Sequence, residues 1–182
     1  RRIVPAFVIR RWKVTDRSSS ILVMRHEAFR HIEIELFVRR DQLLDALGFT
    51  REVIEVAGGT DSTLSADNQR RIEELGMQDA LAGLHDQYCH HYPICVRRVL
   101  PDDTLISMAS GGKQDWYAVS FISYARPARR AGFSLFASFM ARSMSRLFQA
   151  RPHWGKVCPL EANELTSLYP RFASFRTCLL YT

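Results

Sequence analysis

The sequence predicts an α+β fold in which helices cover a large antiparallel sheet. Two patterns carry this. Residues 31–38 alternate with period two: Ile32, Ile34, Leu36 and Val38 fall on one face, and His31, Glu33, Glu35 and Phe37 on the other. That is the pattern of a half-buried strand in an antiparallel sheet. Residues 129–148 instead repeat at steps of three and four, with Phe133, Phe136, Met140, Met144 and Leu147 along one stripe. Such a stripe marks a long helix packed on a sheet. The order strands, helix, strands, helix fits an α+β layer.

The other elements follow in order. Ahead of residue 31, the apolar runs 6–12 and 21–24 read as strands on either side of the Ser18-Ser19-Ser20 turn. Residues 41–56 read as a helix with a stripe of Leu43, Leu44, Leu47 and Ile54, stopped by Gly58-Gly59. Gly48 weakens its middle by about 1 kcal/mol relative to alanine and marks a candidate break. The polar stretch 60–86 holds one candidate helix, 70–84. Strands are expected at 94–100, at 104–108 after the Pro101-Asp102-Asp103 turn, and at 116–124 after Gly111-Gly112. For 129–148 the alternative is a membrane-surface helix, because Arg130, Arg142 and Arg146 flank its apolar stripe.

Composition narrows the function. With 182 residues, 47% hydrophobic and 24% charged, the chain is one globular domain, not a disordered tail, a collagen-like chain or a coiled-coil rod. The net charge of +6 comes without the dense basic stripe of a nucleic-acid surface, so no nucleic-acid partner is expected. Cys89, Cys95, Cys158 and Cys178 form no CxxC, which points to a reducing compartment, the cytoplasm. No run approaches the roughly 18 apolar residues of a membrane span, leaving peripheral association as the membrane alternative. The start at Arg1, without Met or an apolar leader, predicts a piece of a longer protein.

Several candidate sites read as structural. Cys89, His90, His91 and Cys95 crowd together where zinc sites prefer separated pairs, so no metal is expected. Gly58-Gly59-Thr60 and Gly111-Gly112-Lys113 match no phosphate-binding loop. Glu33 and Glu35 share a strand face that reads as solvated, not as a catalytic carboxylate pair.

The most specific stretch is Arg151-Pro152-His153-Trp154-Gly155-Lys156, followed by Leu168-Tyr169-Pro170-Arg171-Phe172. An imidazole, an indole and an ammonium group surround a glycine that permits close backbone approach, a composition suited to a ligand pocket. These motifs resemble the C-terminal signature of the aldonolactone oxidases. That family includes D-arabinono-1,4-lactone, L-gulono-1,4-lactone and alditol oxidases, within the vanillyl-alcohol-oxidase class of FAD enzymes. Three more stretches match in the family's order. Asp16-Arg17-Ser18 resembles the entry to its cap domain. Glu33-Ile34-Glu35-Leu36-Phe37-Val38 resembles its Glu-x-Glu strand. Pro93-Ile94-Cys95-Val96-Arg97, then Asp102-Asp103-Thr104-Leu105-Ile106-Ser107, resembles its arginine strand and the loop after it.

The resemblance implies that residues 1–182 form a single cap or substrate domain, with 151–172 returning to the flavin. An FAD-binding domain, absent from this chain, would precede it, hold most of the FAD and be its partner. The implied reaction is hydride transfer from a carbinol carbon of a sugar lactone or alditol to the flavin, with the fragment inactive alone. Lys156 matches the family's active-site lysine, whose ammonium stabilises the charge that develops. Arg97 matches its substrate-side arginine. His153 is a candidate base or hydrogen-bond donor, or positions the loop. His153, Trp154, Gly155 and Lys156 would face the cofactor. Cys95 stands where the family has a glutamate, so a carboxylate to orient Arg97 is expected to be lacking. Ser120 stands near a family histidine and can donate one hydrogen bond. Cys95 and Ser120, with Arg97, are the expected substrate-binding positions. The alternative, favoured by Cys95, is a non-catalytic cap-like module that binds a polyol or a protein.

Overall fold

The computed structural model describes residues 17, 30–60, 62–125 and 127–180, apart from the side chains of 127–129. The expected strands at 6–12 and 21–24 lie outside the described residues, as does most of Asp16-Arg17-Ser18. The chain divides into two units, Arg1–Arg30 and His31–Thr182. The elements below belong to the second.

Strand β1 (His31–Arg39) leads through a short turn (Arg40–Gln42) into helix α1 (Leu43–Ala57). Two short helices follow, α2 (Ala66–Glu74) and α3 (Gln78–Ala82), then strands β2 (Cys95–Val99) and β3 (Trp116–Tyr124). The long helix α4 (Pro127–Phe148) precedes a two-residue strand β4 (Arg151–Pro152) and helices α5 (Ala162–Leu168) and α6 (Phe172–Leu180). The strands join in the order β2-β3-β1-β4, with every neighbouring pair antiparallel. The predicted α+β class is the observed one.

The alternation of β1 divides the sheet into two faces. Ile34, Leu36 and Val38 join Val119 and Phe121 of β3 against Phe49 and Val53 of α1 and Phe133, Phe136, Met140 and Met144 of α4. On the other face Phe37, Trp116, Ala118 and Ala109 make a smaller apolar cluster. The stripe of α4 is therefore spent on the core, which overturns its reading as a membrane-surface helix. No helix of the described residues is long and apolar enough to cross a membrane.

Three expectations need correction. The buried side of α1 is Ala46, Phe49, Thr50, Val53, Val56 and Ala57, whereas Leu44 is 80% exposed. Leu43, Leu47 and Ile54 do pack against the core, partly buried, as expected; the aliphatic stripe erred only in including Leu44 and in leaving out the more deeply buried residues beside it. The helix runs through Gly48 without a break and ends at Gly58, where Gly59 (φ 74°) turns the chain. The expected helix at 70–84 is two helices, because Gly76 (φ 65°) takes a conformation that ends the first. Residues 104–108 form a loop, not a strand. Asp102 accepts bonds there from the Thr104 N–H (2.9 Å), the Thr104 hydroxyl (2.6 Å) and the Ser107 hydroxyl (2.6 Å). Such local side-chain bonds compete with a strand ladder.

Two helical glycines provide a test of this packing. No atom lies within 4 Å of a Cβ placed on Gly48, whereas one on Gly132 of α4 would collide with the Gln87 carbonyl oxygen. Gly48→Ala should stabilise the protein by up to about 1 kcal/mol, and Gly132→Ala should destabilise it by about 1–3 kcal/mol. Urea midpoints that shift in the same direction would contradict the arrangement.

Candidate functional site

Sheet register assembles the site on the face opposite the main core. Cys95 of β2 lies beside Ser120 of β3, and Ser120 beside Glu35 of β1, so the three form one row across three strands. The next row holds Arg97, Ala118 and Phe37, and the row on the other side pairs Ile122 with Glu33. Because strand side chains alternate, all of these share one face. Glu35 is only 1% exposed. Its Oε1 accepts a hydrogen bond from the Ser120 hydroxyl (2.7 Å) and another from the Arg97 guanidinium, which reaches back diagonally from β2. The Lys156 ammonium pairs with Glu33 and lies 4.0 Å from Glu35 Oε2. Two cations and two carboxylates thus form one continuous network.

Lys156 is brought there by backbone pairing that continues past β4. Pro152 and Arg151 sit opposite Leu36 and Phe37. Beyond them the His153 N–H donates to the Glu35 carbonyl (2.9 Å) and the Val157 N–H to the Glu33 carbonyl (3.0 Å). Between these two bonds the chain turns tightly. The Gly155 N–H donates to His153 Nδ1 (2.9 Å) and the Lys156 N–H to the His153 carbonyl (3.2 Å). A Cβ on Gly155 would come within 3.2 Å of the His153 ring, which is why glycine suits this position. Trp154 fastens the turn outward: its Nε1–H donates to the Ile106 carbonyl (2.8 Å) and its ring stacks on Tyr169 at 5.1 Å.

The anchor of the segment is Arg151, which is 1% exposed. Its guanidinium lies 4.5 Å from the Trp116 ring centroid and 4.8 Å from that of Tyr169. It donates to the carbonyls of Leu168 (2.9 Å) and Ser110 (2.7 Å).

Electrostatics hold the row in its charged form. Burial pushes the Glu35 carboxyl up, but the hydrogen bonds from Arg97 and Ser120, with the charges of Arg97 and Lys156, outweigh it. The carboxyl is held below its ordinary value of 4.5. Glu35 in turn pushes the Arg97 guanidinium up through its hydrogen bond and its charge.

Of the expected site residues, the structure brings Arg97, Ser120 and Lys156 together around Glu35 and places Cys95, exposed, in the same row. His153 stands beside the row with its ring 6.1 Å from that of Phe37, outside the ion-pair network. Two readings are overturned. The face of Glu33 and Glu35 is not simply solvated, because the returning segment and β2 cover Glu35. Arg97 does have an orienting carboxylate, supplied from β1 instead of its own strand. Sequence reasoning missed Glu33, Glu35 and Arg151 as site residues. The available signals were the Glu-x-Glu resemblance, two carboxylates on a strand that also carries Phe37 on the same face, and the place of Arg151 at the head of the most specific stretch. The Cys89, His90, His91 and Cys95 group does not converge: the His90 ring packs on those of Phe121 and Phe136, and His91 stacks on Tyr124.

Residues 2–179 match the family model described as D-arabinono-1,4-lactone oxidase. A protein named long-chain alcohol oxidase, from an uncultured marine euryarchaeote, is 86% identical over 177 residues, which are 97% of this chain and 37% of that protein. The chain thus spans little more than a third of that relative's length.

The depressed Glu35 carboxyl makes a directional prediction. Its pairing contributes in full above pH 4.5 and is lost as pH falls through the lowered value, because the unfolded chain takes up the proton first. Glu35→Gln should cost about 1–3 kcal/mol at neutral pH and flatten the loss of stability on acidification. Denaturant midpoints measured from pH 7 to pH 3 check this, and parallel curves for the two proteins would contradict it.

Proposed function

The chain belongs to the D-arabinono-1,4-lactone oxidase family, and from that premise we propose that it supplies the substrate-binding face of an FAD-linked oxidase acting on CH–OH groups. The proposed substrate is a sugar lactone or an alditol. The observation that carries this reading is the row in which Arg97, Ser120 and Lys156 meet around Glu35 on a sheet face. When bound, FAD supplies the hydride acceptor, and the protein supplies orientation and charge. The donor set suits that group. An ammonium and a guanidinium brought to one face are what an electron-rich ring and a hydroxyl losing its proton require.

The roles proposed for these side chains follow from what each has left to offer. Arg97 is 61% exposed at its side chain, and a guanidinium carries five N–H donors, so after bonding Glu35 it can hold a substrate oxygen. Lys156, which pairs with Glu33 and lies 4.0 Å from Glu35, stabilises negative charge that develops nearby. The one hydroxyl proton of Ser120 is used on Glu35, so Ser120 meets a substrate as an acceptor, which revises the donor role expected for it. His153 accepts a backbone bond at Nδ1, so its neutral ring carries the proton on Nε2 and acts there as a donor, not as a base. Cys95 lines the row without a charge.

In this reading the FAD-binding domain lies in the rest of the protein, for which the 37% coverage of the relative leaves room, and it covers the charged face. The non-catalytic alternative drew its support from Cys95, and a carboxylate delivered by β1 removes that support. A second substrate class, a long-chain alcohol, is favoured by the 86% identity to the protein bearing that name. We favour the polyhydroxylated substrate, because charged and hydrogen-bonding groups line this face. A cytoplasmic location, with or without attachment to a membrane surface, belongs to the same proposal.

The test is anaerobic mixing of the full-length, FAD-loaded protein with an aldonolactone, an alditol or a long-chain primary alcohol. The lactone or the alditol should bleach the flavin absorbance fastest. Preference for the long-chain alcohol would overturn the substrate assignment, and bleaching by none of the three would overturn the reaction. Lys156→Met should slow flavin reduction by about 10²–10³-fold while leaving the unfolding free energy within about 1 kcal/mol of wild type. Reduction at the wild-type rate would end the role given to Lys156.

A further inference from the structure

We propose that Glu35 is the positioning residue of this site, a buried carboxylate that fixes the Arg97 fork and the Lys156 ammonium relative to each other. The inference rests on the oxidase reading above and assigns within it a residue that touches neither substrate nor cofactor.

The geometry leads to Glu35 in three ways. Strand β1 is bonded on both sides, to β3 and to the segment returning through β4. Glu35 sits where the two ladders meet: it pairs with Ser120 on one side, and its carbonyl accepts the His153 N–H on the other. Its backbone is thus more constrained than that of Arg97, which lies on the edge strand β2. Second, its two carboxylate oxygens divide their partners. Oε1 takes Arg97 and Ser120, and Oε2 faces Lys156 at 4.0 Å. Glu33 differs: it pairs with Lys156 and acts on Arg97 only through its charge, without a hydrogen bond. Third, the carboxylate is shielded from water while Arg97 is largely exposed. An exposed arginine has a long, freely rotating stem. A fixed buried anion at its base limits that freedom and turns its remaining donors outward. The same anion also lies 4.0 Å from the Lys156 ammonium that pairs with Glu33.

Glu35 therefore acts through Arg97 and Lys156 and performs no proton transfer itself. Removing it should uncouple the two cations while leaving both present. Misplacement of a positioning group by about an ångström costs about 100-fold, so Glu35→Gln should lower flavin reduction per bound flavin by about 10- to 100-fold. Glu35→Asp should recover part of this loss.

The decisive measurement is a pair of variants in the full-length holoenzyme, with rates normalised to bound flavin so that a loss of folded protein does not count. If Glu35 acts through Arg97 and Lys156, its loss costs less in the R97K background than in wild type, so the E35Q/R97K double variant is faster than the product of the two single losses predicts. Losses that multiply would overturn the proposal. An activity-independent reading is calorimetric binding of the oxidised product, which turns over no further. E35Q and R97K should weaken it to a similar extent, and the double variant should weaken it no more. Wild-type affinity in E35Q would overturn the proposal. Should E35Q fail to fold, E35D carries the same comparison: losses in E35D and R97K that combine to less than their product in E35D/R97K support it, and losses that multiply overturn it. A wild-type enzyme that fails to reduce its flavin with any CH–OH substrate would instead remove the oxidase reading.

Discussion

A guanidinium buried between two aromatic rings holds the segment that returns to the sheet in place. Arg151 lies against Trp116 of β3 and Tyr169 beyond α5, and donates to carbonyls on either side of it. No described carboxylate pairs with it directly, so ring faces and carbonyl dipoles offset the cost of taking its charge out of water. Burial accordingly pulls its pKa below the ordinary arginine range. The register of β4 on β1 is set here, and every later contact of the returning segment inherits that register. His153 reaches the Glu35 carbonyl, and Lys156 reaches Glu33, because Arg151 is fixed opposite Phe37.

The sheet face that receives this segment is divided along its strands. Toward one end, Phe37, Trp116 and Ala118 are covered by the loop carrying Met108 and Ala109. Toward the other, Glu33, Glu35, Ser120, Cys95 and Arg97 replace apolar contacts with ionic ones. Phe37 stands at the boundary, packed in the apolar cluster and facing the His153 ring. One strand thus buries aliphatic side chains on one side and presents both an apolar wedge and a charge network on the other. A wholly apolar second face would bury more surface, but it would have nothing with which to hold a hydroxyl-bearing molecule.

Much of the fold was legible because periodicity is a local property. The alternation of 31–38, the strand at 116–124 and the stripe of α4 all appear where the sequence placed them. The less visible parts depend on small residues or distant partners. Ala46, Thr50 and Ala57 complete the contact face of α1 beside Phe49, Val53 and Val56, and their size gave no signal. Asp102 draws the following residues into a loop through bonds that apolar pattern does not register. The site was legible through the Arg-Pro-His-Trp-Gly-Lys resemblance and not through residue chemistry. Alternation places Glu35 on a face without saying what covers that face. Its burial is decided by Arg97, Ser120 and Lys156, the first two 62 and 85 positions further on.

Those separations bear on how the molecule is made. Glu33 meets Lys156 across 123 positions of sequence, and the central strand is among the first described elements to leave the ribosome. Contacts so far apart along the chain pay loop-closure entropy before they return any energy, and they slow folding. Until β3 and then the returning segment are synthesised, a nascent chain carries a strand with an oily side and an acidic side, both unpaired. Such an edge is open to association with other chains. The returning segment, made after the strands it joins, completes the charge network and also ends this exposure.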